Sequence, residues 1–244
     1  MRLLSTLGLL STASALVLST AAAQTTPAPT TTLTSDFGYV ATSGNTEVTT
    51  MSIGEKLTRS RGRLTLEQNF SLVYGEQQGT VITNNLRTGV RGDYRVIGKF
   101  AVFSGVAFDR NVFAGIERRF TEQLGVQLRA VGSATDTLRL EGGASVTQQT
   151  AVGDVKSQYV AGRAALAWRH AFTTSSYFQQ NIEILPKLSD TDDYLFNTES
   201  ALVAPISARI GVKISYVIRY DNLPEPGFST TDRLFTTGIQ LTFD

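Results

Sequence analysis

The chain of 244 residues has no cysteine, which removes disulfide bonds, thiol nucleophiles and cysteine metal sites. Histidine and tryptophan occur once each, as His170 and Trp168. Charge of one sign is also missing. The 22 Lys and Arg stand against 21 Asp and Glu, a net +1, so no global field draws the chain to nucleic acid. Past Thr32 no apolar run approaches the roughly 18 residues that a membrane helix needs. No phosphate-binding loop, dinucleotide fingerprint or metal-ligand spacing occurs, and no cofactor is expected. What is present is 41% hydrophobic residues with near-neutral hydropathy. A barrel whose strands alternate apolar and polar residues has that balance in any window.

The amino terminus departs from it. Arg2 precedes an apolar stretch from Leu3 to Leu18, and Ala21-Ala22-Ala23 supplies small residues before Gln24. Residues 1–23 therefore read as a cleaved secretory signal, with a membrane anchor helix as the alternative. Residues 24–32 (QTTPAPTTT) read as an extended, mobile Thr/Pro linker, and 33–244 as one β-barrel.

Twelve period-two stretches follow, separated by turn clusters: Leu33–Thr42, Thr46–Thr58, Arg63–Tyr74, Val81–Val96, Lys99–Asp109, Gly115–Val131, Asp136–Gln148, Gln158–Phe172, Tyr177–Lys187, Asp193–Val203, Ser207–Tyr220 and Thr231–Phe243. Short connections alternate with longer polar ones, Gly75–Thr80, Arg110–Ala114, Gln149–Ser157, Leu188–Asp192 and Asp221–Thr230, the short first connection excepted. The pattern predicts an all-β fold. It predicts a single antiparallel transmembrane β-barrel of about twelve strands, with short periplasmic turns and longer external loops.

The eleventh strand carries the argument. Ile210, Val212, Ile214, Tyr216, Ile218 and Tyr220 alternate with Arg209, Gly211, Lys213, Ser215, Val217 and Arg219. Successive side chains of a strand point to opposite faces, so one face is apolar and the other carries three cations. Lipid outside and a wet lumen inside suit those faces. Expected toward lipid are Ile210, Val212, Ile214, Tyr216 and Ile218, with Ile239, Leu241 and Phe243 of the last strand. Expected toward the lumen are Arg63, Glu67, Arg87, Arg91, Asp93, Arg95, Arg129, Arg139, Glu141, Arg163, Arg169, Glu183, Glu199, Arg209, Lys213 and Arg219, together with Asp36 and Asp232.

Two positions break the pattern. Arg118 shares parity with Leu124 and Val126, and is placed on the outer rim, where a lipid-facing Arg costs about 0–1 kcal/mol instead of about 2–4 at mid-bilayer. Glu55 shares a face with Met51, Ile53 and Leu57, which predicts a bulge or a shifted register. Tyr74, Tyr94, Phe108, Trp168, Phe172, Tyr177, Tyr194, Tyr216 and Tyr220 gather toward strand ends, as in an interfacial girdle.

Four short motifs span the mature chain: Thr42-Ser43-Gly44-Asn45-Thr46; Arg110 with Phe113-Ala114-Gly115-Ile116; Leu188-Ser189-Asp190 with Asp192-Asp193-Tyr194; and Arg219-Tyr220-Asp221 with Pro224 and Pro226-Gly227. In these the chain resembles the salt-induced outer-membrane protein family, the domain of unknown function 481. The resemblance implies an outer-membrane barrel, exported through the secretory pathway, and supplies no reaction. Outer-membrane barrels usually end in an aromatic residue read by the barrel-assembly machinery. Here Asp244 follows Phe243.

Candidate chemistry is sparse. His170 has the outward parity of Leu166, Trp168 and Phe172, so it reads as an interfacial side chain and not as a catalytic base, which needs a nucleophile within hydrogen-bond reach. Ser189–Asp193 is acidic, but lacks the glycine and distal Glu of a cation loop. The inward charges are the best clue. A barrel of this size lies between those filled by side chains and those with a channel. The resemblance implies an envelope or salt-stress barrel of porin-like type; the inward charges suit a lumen that is plugged or very narrow, and if open a pore biased to small anions. Its partners would be outer-membrane lipid and the assembly machinery. The alternatives are an outer-membrane enzyme acting on lipid and a secreted soluble β-sandwich that binds a ligand.

Overall fold

A computed structural model describes residues 28–43 and 47–243. The expected signal segment, residues 24–27 of the expected linker, Gly44–Thr46 and Asp244 lie outside the described residues. The twelve strands are β1 (Thr30–Thr42), β2 (Val48–Arg61), β3 (Leu64–Gln77), β4 (Thr80–Ile97), β5 (Phe100–Asn111), β6 (Ile116–Gly132), β7 (Asp136–Ala151), β8 (Lys156–Ala171), β9 (Tyr177–Pro186), β10 (Tyr194–Pro205), β11 (Ile210–Asp221) and β12 (Thr231–Phe243). Each pairs antiparallel with the next, and β12 returns to β1, so one sheet closes on itself. The closing seam is short, from Leu33 opposite Phe243 to Phe37 opposite Ile239. No second layer covers Ile210, Val212 and Ile214, and Ile214 is 42% exposed. That rules out the soluble sandwich.

The strands match the expected ones in number and order, but several run further. β1 starts at Thr30, where Thr30, Thr31 and Thr32 pair with Ser60, Arg59 and Thr58. The loop expected over Gly75–Thr80 is only the turn Gln78-Gly79, with φ of 49° and 75°. Gly75, Glu76 and Gln77 continue the ladder through one bulge. Alternation marks a strand only where its two faces meet different surroundings. A polar extension beyond the apolar band leaves no such mark. β5 and β7 likewise extend to Asn111 and Ala151, and a single 3-10 turn, Val112–Ala114, bridges β5 and β6. We call the end with the β2–β3, β4–β5, β6–β7, β8–β9 and β10–β11 connections the turn end, and the other the loop end.

Glu55 corrects one expectation. No bulge or register shift occurs beside it; it pairs with Ser35 and Phe70 and stays on the outer face. Arg118 also faces outward, near the loop end of β6, and its Nε donates to Thr150 Oγ1 at 3.1 Å. Tyr177 does not join the outer aromatic residues. It has the inward parity of Gln179 and Asn181, and its hydroxyl donates to Gln240 Oε1 at 3.0 Å. Trp168 and Phe172 do lie outside, edge-on to Phe178 and His170 respectively.

Candidate functional site

Strand parity aims the charged residues at the axis, and the structure groups them into layers. In the middle, Arg91 of β4 grips Glu141 of β7 with both terminal nitrogens, at 2.8 and 2.7 Å. Arg163 of β8 reaches the same carboxylate at 2.7 Å and Glu183 of β9 at 2.7 Å. Asp93 and Gln127 complete the shell of Arg91, and Asn197 of β10 donates to Glu183 at 3.3 Å. This lattice reaches from β4 to β10 along the inner wall. The Glu141 and Arg163 side chains are only 7% and 8% exposed. Beneath it lies Phe103, 1% exposed, with the Arg91 and Arg163 guanidiniums 4.0 and 5.1 Å from its ring centre. The ring lies against Gly125, where a Cβ would stand 2.6 Å from Phe103 Cζ, so only glycine lets the aromatic lie flat on the wall.

At the seam, Lys213 of β11 pairs with Asp36 of β1 at 2.5 Å, and Gln240 of β12 donates to the same carboxylate at 2.9 Å. Lys56 pairs with Glu67 at 2.8 Å. Between these groups and the central lattice is a cavity of ≈ 520 Å³, lined by Arg87, Arg139, Glu199, Lys213 and Arg219 among others.

Toward the loop end, polar side chains bridge the lumen. Arg87 pairs with Asp109. Asn111 of β5 reaches across to Asp232 of β12, donating at 3.3 Å. Arg219 makes no ion pair among the described residues, and its buried Nε has no hydrogen-bond partner. The connection 222–230 between β11 and β12 folds over this mouth. Gln149 of β7 donates to Glu225 at 3.0 Å, and a Cβ on Gly115 would meet the Phe228 ring at 2.9 Å. Gly115 has φ 79°, so glycine serves both the left-handed turn and the close approach.

The turn end is different in charge. Arg129, Arg139 and Arg169 face inward there, and none has a carboxylate partner among the described residues; Arg169 stacks over Tyr177 at 4.0 Å. Two expected lumen residues are displaced to the rim. Arg63 lies in the β2–β3 turn, its guanidinium on the Val96 carbonyl at 3.4 Å, and Arg209 lies in the β10–β11 turn. Each stands one position before a strand that starts later than expected, at Leu64 and Ile210. Arg95 is close to the same rim, donating to the Gly62 carbonyl at 3.0 Å.

Sequence reasoning overlooked Lys56, Phe103 and Asp109. All three have inward parity. Lys56 was hidden because the outward Glu55 beside it made the whole strand look irregular, and Phe103 because a ring among charges carries no signal in one dimension.

The other candidates are quickly placed. His170 Nδ1 and Asp136 Oδ1 are 2.9 Å apart on the outer face, and no hydroxyl hydrogen-bonds the ring among the described residues. In the acidic loop, Asp190 caps the backbone N–H of Asp192, and Asp193 pairs with Lys187. Among the described residues no group of three or more acidic or histidine side chains could hold a metal.

The family profile described as "Protein of unknown function, DUF481" matches residues 35–243. The chain belongs to the DUF481 family. Among solved structures, an outer-membrane channel from Pseudomonas putida F1 is similar to this DUF481 chain over 87% of its length and 94% of that chain, at 14% identity and a TM-score of 0.51. The NanC porin matches over 86% and 97%, at 10% identity and a TM-score of 0.49. The first likeness is one of fold: a closed antiparallel barrel of the outer-membrane type. No curated protein matches the sequence. Three of the four motifs quoted above meet at the loop end of this DUF481 barrel. Gly115 lies under Phe228, Asn222 donates to the Asp192 carbonyl at 2.7 Å, and the Tyr194 and Tyr220 rings are 5.8 Å apart.

Proposed function

We propose that this DUF481 barrel lies in the outer membrane, turn end to the periplasm, as a narrow pore that favours small anions. Residues 1–23 would direct export, and the assembly machinery would insert the strands. The observation that carries the reading is the central cavity, where Arg139 and Arg219 present guanidiniums without an ion-pair partner among the described residues. Cationic side chains around a constriction select anions by charge. Planar-bilayer recording tests it: discrete conductance steps are expected, with a reversal potential of anionic sign in a salt gradient.

A second reading is a plugged barrel that serves envelope integrity, including under salt stress. The lattice on Glu141 and the connection over the loop-end mouth favour it. Recording separates the two, since the absence of any conductance step would leave only the plugged form. An enzyme acting on lipid is the weakest reading, since His170 has no hydroxyl in hydrogen-bond contact among the described residues. Lipid turnover by the purified barrel would revive it.

A further inference from the structure

Arg129 of β6 and Arg139 of β7 stand directly opposite one another in the ladder, on the inner face. Like charges at paired positions repel, and sheets ordinarily avoid the arrangement. Several inward cations elsewhere on this wall are neutralised, Lys56 by Glu67, Arg87 by Asp109, Arg91 and Arg163 by Glu141, Lys213 by Asp36, whereas Arg219 stands alone among the described residues. Arg129 and Arg139 have no acid among the described residues. The inward carboxylate two positions along β7, Glu141, is already shared by two other guanidiniums. Arg129 bends toward the turn end, its Cδ 3.1 Å from where a Cβ on Gly132 would stand. Arg169 joins them from β8, opposite Thr137, two residues from Arg139. It is held by the Tyr177 ring at 4.0 Å and not by an acid, which leaves its N–H groups to donate elsewhere. Tyr177 is itself fixed through Gln240 to Asp36.

We propose that Arg129, Arg139 and Arg169 form a binding site for a small oxyanion of the phosphate class at the turn end of the lumen. Guanidinium forks match tetrahedral oxyanions in geometry, and three of them supply more charge than a single carboxylate would neutralise. The site lies on the inner wall, out of reach of bilayer headgroups, so its ligand is a free solute. The proposal deepens the anion-pore reading by giving the pore a loading site on its periplasmic side. It also stands or falls separately from conduction.

The test is calorimetric titration of inorganic phosphate into the full-length barrel, folded in an uncharged, phosphate-free detergent. Saturable binding is expected, weakened by added chloride. The double variant R129Q/R139Q should bind at least about tenfold more weakly, as loss of charged hydrogen bonds predicts. K56Q, in the same lumen but outside the cluster, should bind like the parent chain. Heat-dependent gel mobility confirms that each variant is folded, and R139Q alone provides the weaker perturbation if the double variant fails to fold. No saturable binding by the parent chain, or unchanged affinity in R139Q, overturns the site. Phosphate binding without conductance steps rejects the pore and keeps the site, whereas conductance without phosphate binding does the reverse.

Discussion

At the scale of single residues, Glu141 is the keystone of the lumen. It accepts from Arg91 and Arg163 while nearly shielded from solvent, so its removal takes the shared carboxylate from two guanidiniums over the Phe103 ring and leaves each with one acid, Asp93 for Arg91 and Glu183 for Arg163. Leaving a buried charge with no partner costs about 3–5 kcal/mol, and the remaining acids, Asp93 and Glu183, hold the loss below that figure. E141A should therefore lower the urea midpoint of the barrel in lipid vesicles, followed by tryptophan emission from Trp168. An unchanged midpoint would mean the lattice is only ornamental to stability. Glu55 offers the opposite case. It stands near the middle of β2 on the outer face with no ion-pair partner among the described residues. In the proposed membrane setting a carboxylate there is set against hydrocarbon, so E55L should raise the same midpoint. These side chains differ in how far the sequence discloses them. The parity of Arg91, Glu141 and Arg163 shows that they point inward. That all three meet on one carboxylate is not encoded in parity, because it depends on which strands curve toward each other.

Among the elements, the connection 222–230 is the one whose placement bears most directly on the proposed pore. Its length was legible, and so was its turn chemistry in Pro224, Pro226 and Gly227. Its direction was not, because the contacts that fold it inward come from Gln149 and Gly115, on strands far away in sequence. Replacing residues 223–229 by a two-residue turn should raise single-channel conductance severalfold while leaving the folded barrel's gel mobility intact. Equal conductance would show that the narrow point lies deeper, at the central lattice. The strands themselves were almost wholly legible wherever one side chain in two is apolar. They became illegible at Gly75–Gln77, where both faces of the ladder are polar.

For the molecule as a whole, every strand has a hydrogen-bonded neighbour on each side, because β12 meets β1, although that seam runs only from Leu33–Phe243 to Phe37–Ile239. Such a cylinder resists detergent until heated. The purified protein should migrate faster before boiling than after, and a single position at both temperatures would contradict the closed form.

The brevity of the β1–β12 seam has a kinetic corollary. Its rungs join the first residues of the barrel to the last, so they form only after the intervening ten strands are in place. Until that moment the nascent sheet exposes two raw borders, each a template for pairing with a stranger. Insertion must therefore shelter both borders and bring them together last, and the slowest phase of folding should be the locking of Leu33–Phe37 onto Ile239–Phe243.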